Sequence, residues 1–113
     1  MVVYMNSIID YKIIGSRIKK RRMDLDLTQS QLSIKTNLTT FYISKLENSK
    51  AIPTLETLAI LASALDTDLS YLVSGSSRLD KTYIDTRLEN ISKKASNDQM
   101  DLIIKIAEVI LNE

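Results

Sequence analysis

Four residues between positions 40 and 45 stand out as groups able to do chemistry outside a core. On a helical repeat, Thr40, Phe41, Ser44 and Lys45 fall on the side opposite Ile43 and Leu46. Two hydroxyls, an aromatic ring and an ammonium then share one outward face. That set can donate hydrogen bonds, accept them and pack on an apolar group, which is the chemistry of contact. An exposed Phe lowers solubility unless something covers it, so Phe41 points to a bound surface. Chemistry of catalysis has much less to stand on. The 113 residues contain no Cys and no His. Disulfides, thiolate ligands and a thiol nucleophile are therefore excluded, along with the usual base near neutral pH and the usual zinc ligand. Only carboxylates, Lys, Ser and Tyr remain. No paired carboxylates, glycine-rich phosphate loop or nucleophile–base set appears, and the two glycines, Gly15 and Gly75, are isolated. The sequence reads as a binder, not an enzyme, and implies no cofactor and no metal.

The elements that position this face read as helices. Apolar residues make up 44% of the chain, enough for a core, and one proline with two glycines argues against a turn-rich β-sandwich. Asp10 can cap a helix to about Asp24, with Ile14 and Ile18 on its inner face. Thr28 and Gln31 form a capping-box pattern that opens a short helix carrying Leu32. Asn37 suits a left-handed turn. Thr39 can cap the helix Thr40–Asn48, and Thr54 a helix Leu55–Leu65 with Leu55, Leu58, Leu61, Ala62 and Leu65 inward. Asp68 can cap a fifth, Leu69 to about Val73. Ser74 to Ser77 reads as a hinge. Two helical stretches follow, about Leu79–Lys94 and Asp98–Leu111.

Charge is divided unevenly. Residues 1–53 hold nine basic and four acidic side chains, and residues 54–113 hold six basic and ten acidic ones. The near-neutral total hides a basic front half suited to a polyanion. The last helical stretch is apolar on two sides. Met100, Ile103, Ile104, Ala107, Ile110 and Leu111 form one face, and Leu102, Ile106 and Val109 a second. A surface helix needs only one such stripe. The preceding helix, with Ile84, Leu88 and Ile91, can cover one face. A second subunit, or the first domain, must cover the other. No run approaches the length of a membrane span, and Met1 to Tyr11 lacks the pattern of a secretory signal. The expectation is a cytoplasmic protein with no membrane partner.

Residues 27–53, LTQSQLSIKTNLTTFYISKLENSKAIP, closely resemble the helix-turn-helix of the phage repressor and Cro-type regulators, the XRE family. The resemblance runs from about Asp10 to Val73. It includes the leading Ile14, Gly15, Arg17, Ile18, Lys19 and Arg22, the Leu27-Thr28-Gln29 opening, the Ile43-Ser44-Lys45-Leu46-Glu47-Asn48 core and the start of the next helix at Pro53. It implies an all-α fold: a five-helix lambda-repressor-like DNA-binding domain over residues 10–75, then a two-helix C-terminal oligomerisation segment over residues 76–113. Residues 1–9 are expected to be a mobile N-terminal extension.

The resemblance implies a sequence-specific DNA-binding transcriptional regulator, a dimeric repressor on an inverted-repeat operator, with the helix Thr40–Asn48 in the major groove. Thr40, Phe41, Ser44 and Lys45 then face base edges. Phe41 would pack on a thymine methyl, and Lys45 would donate to guanine O6 and N7. Gln29, Thr39, Asn48 and Lys50 match positions that grip the DNA backbone. Tyr42 divides between a backbone contact and packing on its own domain. Arg22 and Glu47 match a structural ion pair. The apolar face Met100 to Leu111 would be the dimer or partner interface. The same chain could serve as an antitoxin-type or antirepressor-controlled regulator, whose tail helices bind a toxin or an antirepressor protein. It could also be an adaptor that has lost DNA binding. Four positions depart from the family pattern. Asn37 and Ser49 stand where glycine is usual, and Ser33 and Thr36 where small apolar residues are usual. Both hydroxyls could bond to carbonyls one helical turn back.

Overall fold

The computed structural model describes residues 7–112. The fold is all-α. Seven helices follow in order: α1 Tyr11–Asp24, α2 Gln29–Thr36, α3 Thr40–Glu47, α4 Leu55–Ala64, α5 Leu69–Val73, α6 Lys81–Lys94 and α7 Asn97–Leu111. Among the described residues the only β pairing is a single bridge between Ile9 and Ser77. The chain forms two compact units that divide between Arg78 and Leu79.

Local chemistry starts most of the helices. Asp10 accepts from the Lys12 N–H at α1, Thr39 from the Tyr42 N–H at α3, and Thr54 from the Thr57 N–H at α4. Each bond satisfies one donor that a helix start leaves without an intrahelical partner. Thr28 and Gln31 form the full capping box at α2. A second box, Ser96 with Gln99, opens α7 and went unread in the sequence. Asp68 precedes α5 without a side-chain capping bond, so its expected capping is not realised.

The helix ends explain how so few glycines suffice. α1, α3 and α4 all close in the same way, with a left-handed residue just past the cap: Asp26 (φ 56°), Ser49 (φ 56°) and Asp66 (φ 53°). At α3, the Lys50 N–H reaches the Lys45 carbonyl at 2.7 Å and the Ser49 N–H reaches that of Leu46 at 3.1 Å. This is the crossed pair of bonds of a Schellman cap. α2 turns at Asn37 (φ 60°), as its residue type suggested. Ser49 thus keeps the left-handed geometry that glycine would adopt without strain.

The first unit encloses one core. Ile18, Leu32, Ile43, Leu61, Leu65 and Leu72 are fully buried, one from each of α1 to α5 and one from the α4 cap. Burying each such side chain stabilises the fold by roughly 1.5–3 kcal/mol. Leu55 departs from the inward face expected of it; it is 69% exposed. The two hydroxyls in α2 behave differently from each other. Thr36 does bond one turn back, to the Leu32 carbonyl at 2.8 Å, but Ser33 bonds forward across the turn to the Leu38 carbonyl.

Segment 74–77, expected as a hinge, is bound with Arg78 into the first unit. The Asp10 N–H reaches the Ser76 carbonyl at 2.8 Å, the Arg78 N–H reaches that of Ile8 at 2.8 Å, and Arg17 donates to the Ser74 carbonyl. Ser76 is buried. These bonds carry the first unit past residue 75, and they tie Ile8 and Ile9 to it as well. Residues 1–6 of the expected extension lie outside the described residues.

The second unit is two helices. α7 has no buried residue and α6 has only Tyr83. α6 barely packs on α7, so it does not provide the cover expected of Ile84, Leu88 and Ile91.

Gly15 fixes how closely α1 meets α3. A Cβ there would stand 2.9 Å from the Glu47 carbonyl oxygen and closer still to that of Leu46. Two backbones touch at this point, and only hydrogen fits between them. Gly15→Ala is expected to destabilise the fold by about 1–3 kcal/mol or more, the usual cost of overpacking. Ser49→Gly is expected to stabilise it by about 1 kcal/mol through relief of the left-handed strain. Urea denaturation midpoints check both. An unchanged midpoint for Gly15→Ala would mean that the α1–α3 approach is slack.

Candidate nucleic-acid interface

The site is one face of α3, and what positions it lies behind that face. Glu47, at the last turn of α3, has a side chain only 1% exposed. Arg22 from α1 grips it with both arms: Nε to Oε2 at 2.7 Å and NH2 to Oε1 at 2.9 Å. Its third arm, NH1, donates to the Leu27 carbonyl at 2.8 Å. Gln29 Nε2 adds a bond to Glu47 Oε1 at 3.1 Å. One carboxylate therefore joins the end of α1, the start of α2 and the end of α3. The hydrogen bond that Arg22 donates to Glu47 raises the Arg22 pKa above its ordinary value, and the Glu47 charge adds to this against the opposing effect of burial. A raised cation contributes its stability at every pH below its unfolded value and loses it only as pH rises through the folded value, so Arg22 stays charged at every ordinary pH.

The outward face of α3 holds the expected residues. Thr40 is exposed, Phe41 is 73% exposed, and Ser44 and Lys45 are half-buried. The Lys45 ammonium sits over the Phe41 ring, 5.3 Å from its centre. Tyr42 turns the other way and packs against the core. Thr39 caps the helix with its hydroxyl. Asn48 donates its side-chain amide to the Ser44 carbonyl at 2.9 Å, and Lys50 is exposed just beyond the cap. Gln29, expected to face outward, has one amide N–H committed to Glu47; its second N–H and the exposed start of α2 remain for any anion.

The basic residues of α1 divide by type, which the charge count missed. Arg17 donates to the Tyr71 and Ser74 carbonyls, and Arg21 donates to those of Leu65 and Asp66, at 2.9 and 3.2 Å. Both satisfy carbonyls at helix ends, those of α5 and α4. Arg22 serves Glu47. The arginines are thus structural, and the surface charge is carried by exposed lysines: Lys12, Lys19, Lys35 and Lys50. The signal was available in the residue types, since a planar fork with five donors suits buried carbonyls better than an ammonium does. Among the described residues no cluster could hold a metal ion, and no helix is long and apolar enough to cross a membrane.

A helix-turn-helix family model matches residues 18–72. The ImmF control region 10 kDa protein of Bacillus phage phi105 is 30% identical over 64 residues, covering 57% of this chain and 71% of the relative. The chain belongs to the helix-turn-helix family of XRE type. The family is one of DNA-binding transcription regulators, not of enzymes. The immunity repressor protein of the same phage is 32% identical over 92 residues, which is 79% of this chain. That match spans 64% of the immunity repressor's length. The P22 c2 repressor, solved in complex with a synthetic operator, is 33% identical with a TM-score of 0.53, over 56% of this chain and 96% of that one. As a helix-turn-helix protein, this chain has α2 and α3 as the two helices of the motif, and α3 as the second of them.

Removing one partner of the buried pair is expected to be costly because it strands a charge. Arg22→Met should lose roughly 3–5 kcal/mol of stability, and the double variant Arg22→Met/Glu47→Leu should recover most of it. Urea denaturation of the two variants checks this. Equal losses in both would mean that Glu47 is not stranded by the single change.

Proposed function

We propose that this protein is a sequence-specific transcriptional regulator that binds operator DNA through α3, as a dimer, and acts as a repressor. The observation that carries the reading is the outward face of α3. Thr40, Phe41, Ser44 and Lys45 stand free of the core on a helix anchored from behind by Arg22 and Glu47. A major groove admits a helix, and those side chains match base edges in chemistry: hydroxyls for several bases, an ammonium for guanine, a ring for a thymine methyl. Thr39, Gln29, Asn48 and Lys50 border this face and would set its register on phosphates. The homologous P22 c2 repressor supports the reading, since it was solved on operator DNA.

Dimerism rests on α7. Its faces Met100, Ile103, Ile104, Ala107, Ile110, Leu111 and Leu102, Ile106, Val109 are left without burial. An inverted repeat, with half-sites about 34 Å apart, takes two α3 helices, and a second copy paired through α7 would supply the other. The same exposed helix supports a second reading, in which a protein antirepressor or toxin takes that face and so controls the regulator. A cytoplasmic location follows from work on DNA.

The test is footprinting of the full-length protein on its own upstream intergenic duplex, in a salt series. The expected result is a protected inverted repeat whose occupancy falls steeply between roughly 50 and 200 mM salt, as counterions are released from phosphates. Salt-insensitive binding, or none, would favour the adaptor reading. A version ending at Arg78 is expected to be a folded monomer that binds the same site weakly, as read by sedimentation and footprinting. A dimer after that truncation would move the interface to the first unit.

A further inference from the structure

The operator-binding reading says which face touches DNA but not what the face selects. Phe41 and Lys45 carry that further step. Phe41 is among the most exposed apolar side chains of the first unit, while its neighbour Tyr42 packs against the core. The exposure therefore belongs to Phe41 and not to the helix as a whole. Lys45 lies one helical turn on, and its ammonium is held over the ring instead of extending freely into solvent. An ammonium over the face of an aromatic ring is attracted by the ring's negative face. The contact narrows where Lys45 can donate.

We propose, on the operator-binding reading above, that Phe41 and Lys45 form a single two-base reader. The Phe41 ring takes the C5-methyl of a pyrimidine. The Lys45 ammonium, steadied by that ring, takes O6 and N7 of a guanine on the adjoining base pair. The geometry keeps the two contacts close together. The ammonium is 5.3 Å from the ring centre. A hydrogen bond adds about 2.9 Å, and successive base pairs are about 3.4 Å apart. One base pair cannot present both a thymine and a guanine, so the two determinants lie on different pairs, and the short reach favours adjoining ones. Lys45 reads a base directly. Phe41 has two roles, since it reads the methyl and positions Lys45.

Two sources supply a pyrimidine C5-methyl, thymine and 5-methylcytosine, and the major groove presents it at the same place in both. Thr40 and Ser44 do not discriminate in this way, because a hydroxyl donates and accepts equally well.

The test is selection of binding sites by the full-length protein from random duplexes, followed by sequencing. Three pools are used: ordinary DNA, DNA with uracil in place of thymine, and the uracil pool with 5-methylcytosine in place of cytosine. From ordinary DNA the protein is expected to enrich a motif with an A·T pair adjoining a G·C pair. In the uracil pool the preference at the A·T pair should weaken by about fourfold, the value of one buried methyl. In the third pool, 5-methylcytosine should be enriched at that position. Lys45→Ala should reduce the G·C preference by roughly tenfold and keep the methyl dependence. Phe41→Ala should lose the methyl dependence and also relax the adjoining G·C preference. That second effect is one that simple loss of a methyl contact would not produce. Phe41 is exposed, so its removal leaves the core intact, and thermal denaturation confirms folding of the variant.

The proposal is overturned if the wild type enriches the same motif with equal preference from the thymine and uracil pools. It is also overturned if Phe41→Ala leaves the G·C position untouched. If no pool yields any motif, operator binding itself fails; Phe41 would then be the natural centre of a protein-binding surface.

Discussion

The buried carboxylate of Glu47 is the point on which the candidate interface depends. A charge with a side chain only 1% exposed must be compensated, and here three donors do so: two from Arg22 and one from Gln29. Those donors come from two other helices, so satisfying one charge fixes three elements against each other. A purely apolar contact would tolerate sliding, because it has no preferred direction. A bidentate guanidinium–carboxylate pair does not, because both N–H···O bonds require one relative orientation. Gly15 closes the same joint from the backbone side, where the carbonyls of Leu46 and Glu47 meet α1 with no room for a Cβ. The end of α3 is thus held twice, and its outward face acquires a fixed direction.

That constraint explains how the two kinds of basic residue are used. The arginines of α1 lie on sides that meet other elements: Arg17 at the end of α5, Arg21 at the end of α4 and Arg22 at Glu47. Each satisfies helix-end carbonyls or a buried carboxylate. Lysine has no planar fork to offer such sites, and its strongly hydrated ammonium is better left in water. The lysines accordingly remain exposed. A positive surface results that does not compete with the scaffold for its cations. Lys45 differs from the exposed lysines in being half-buried, with its ammonium over the Phe41 ring of its own helix.

Much of this was legible in the sequence, and the unreadable parts have a common cause. Asp10, Thr28, Thr39 and Thr54 announce helix starts because a cap is a local bond between neighbours in sequence. Ile14, Ile18, Leu32, Ile43 and Leu46 announce the core because periodicity is local as well. Asn37 announces its turn through its tolerance of positive φ. What could not be read is set by contacts between distant residues. Gly15 looked like an isolated glycine, because its reason lies in the carbonyls of residues 46 and 47. Gln29 showed its place at a helix start but not its bond to Glu47. Leu55 sits on the apolar stripe of α4, yet the core closes without it. Ser33 bonds forward to Leu38 instead of back, since the left-handed turn at Asn37 brings that carbonyl within reach. The segment 74–77 has the composition of a hinge, but Asp10 and Arg17 hold it, and Ile8 holds Arg78 just beyond it.

The second unit obeys a different logic. The fifteen-residue helix α7 exposes apolar side chains around most of its surface, and α6 gives them little cover. A helix of that length is marginal alone in water, and its exposed apolar area makes the isolated state unfavourable again. The first unit needs no such help, because it encloses its own core. On the proposed reading, stability and activity are therefore separable within one chain. The fold of the DNA-facing unit is independent of concentration. The pairing of α7 depends on concentration by mass action. Two weakly binding units joined through α7 would bind an inverted repeat far better than either alone, since the second contact becomes intramolecular. Any protein that occupies α7 would remove that gain without touching α3. Control of DNA occupancy would then reside in the helix farthest in sequence from the residues that read the bases.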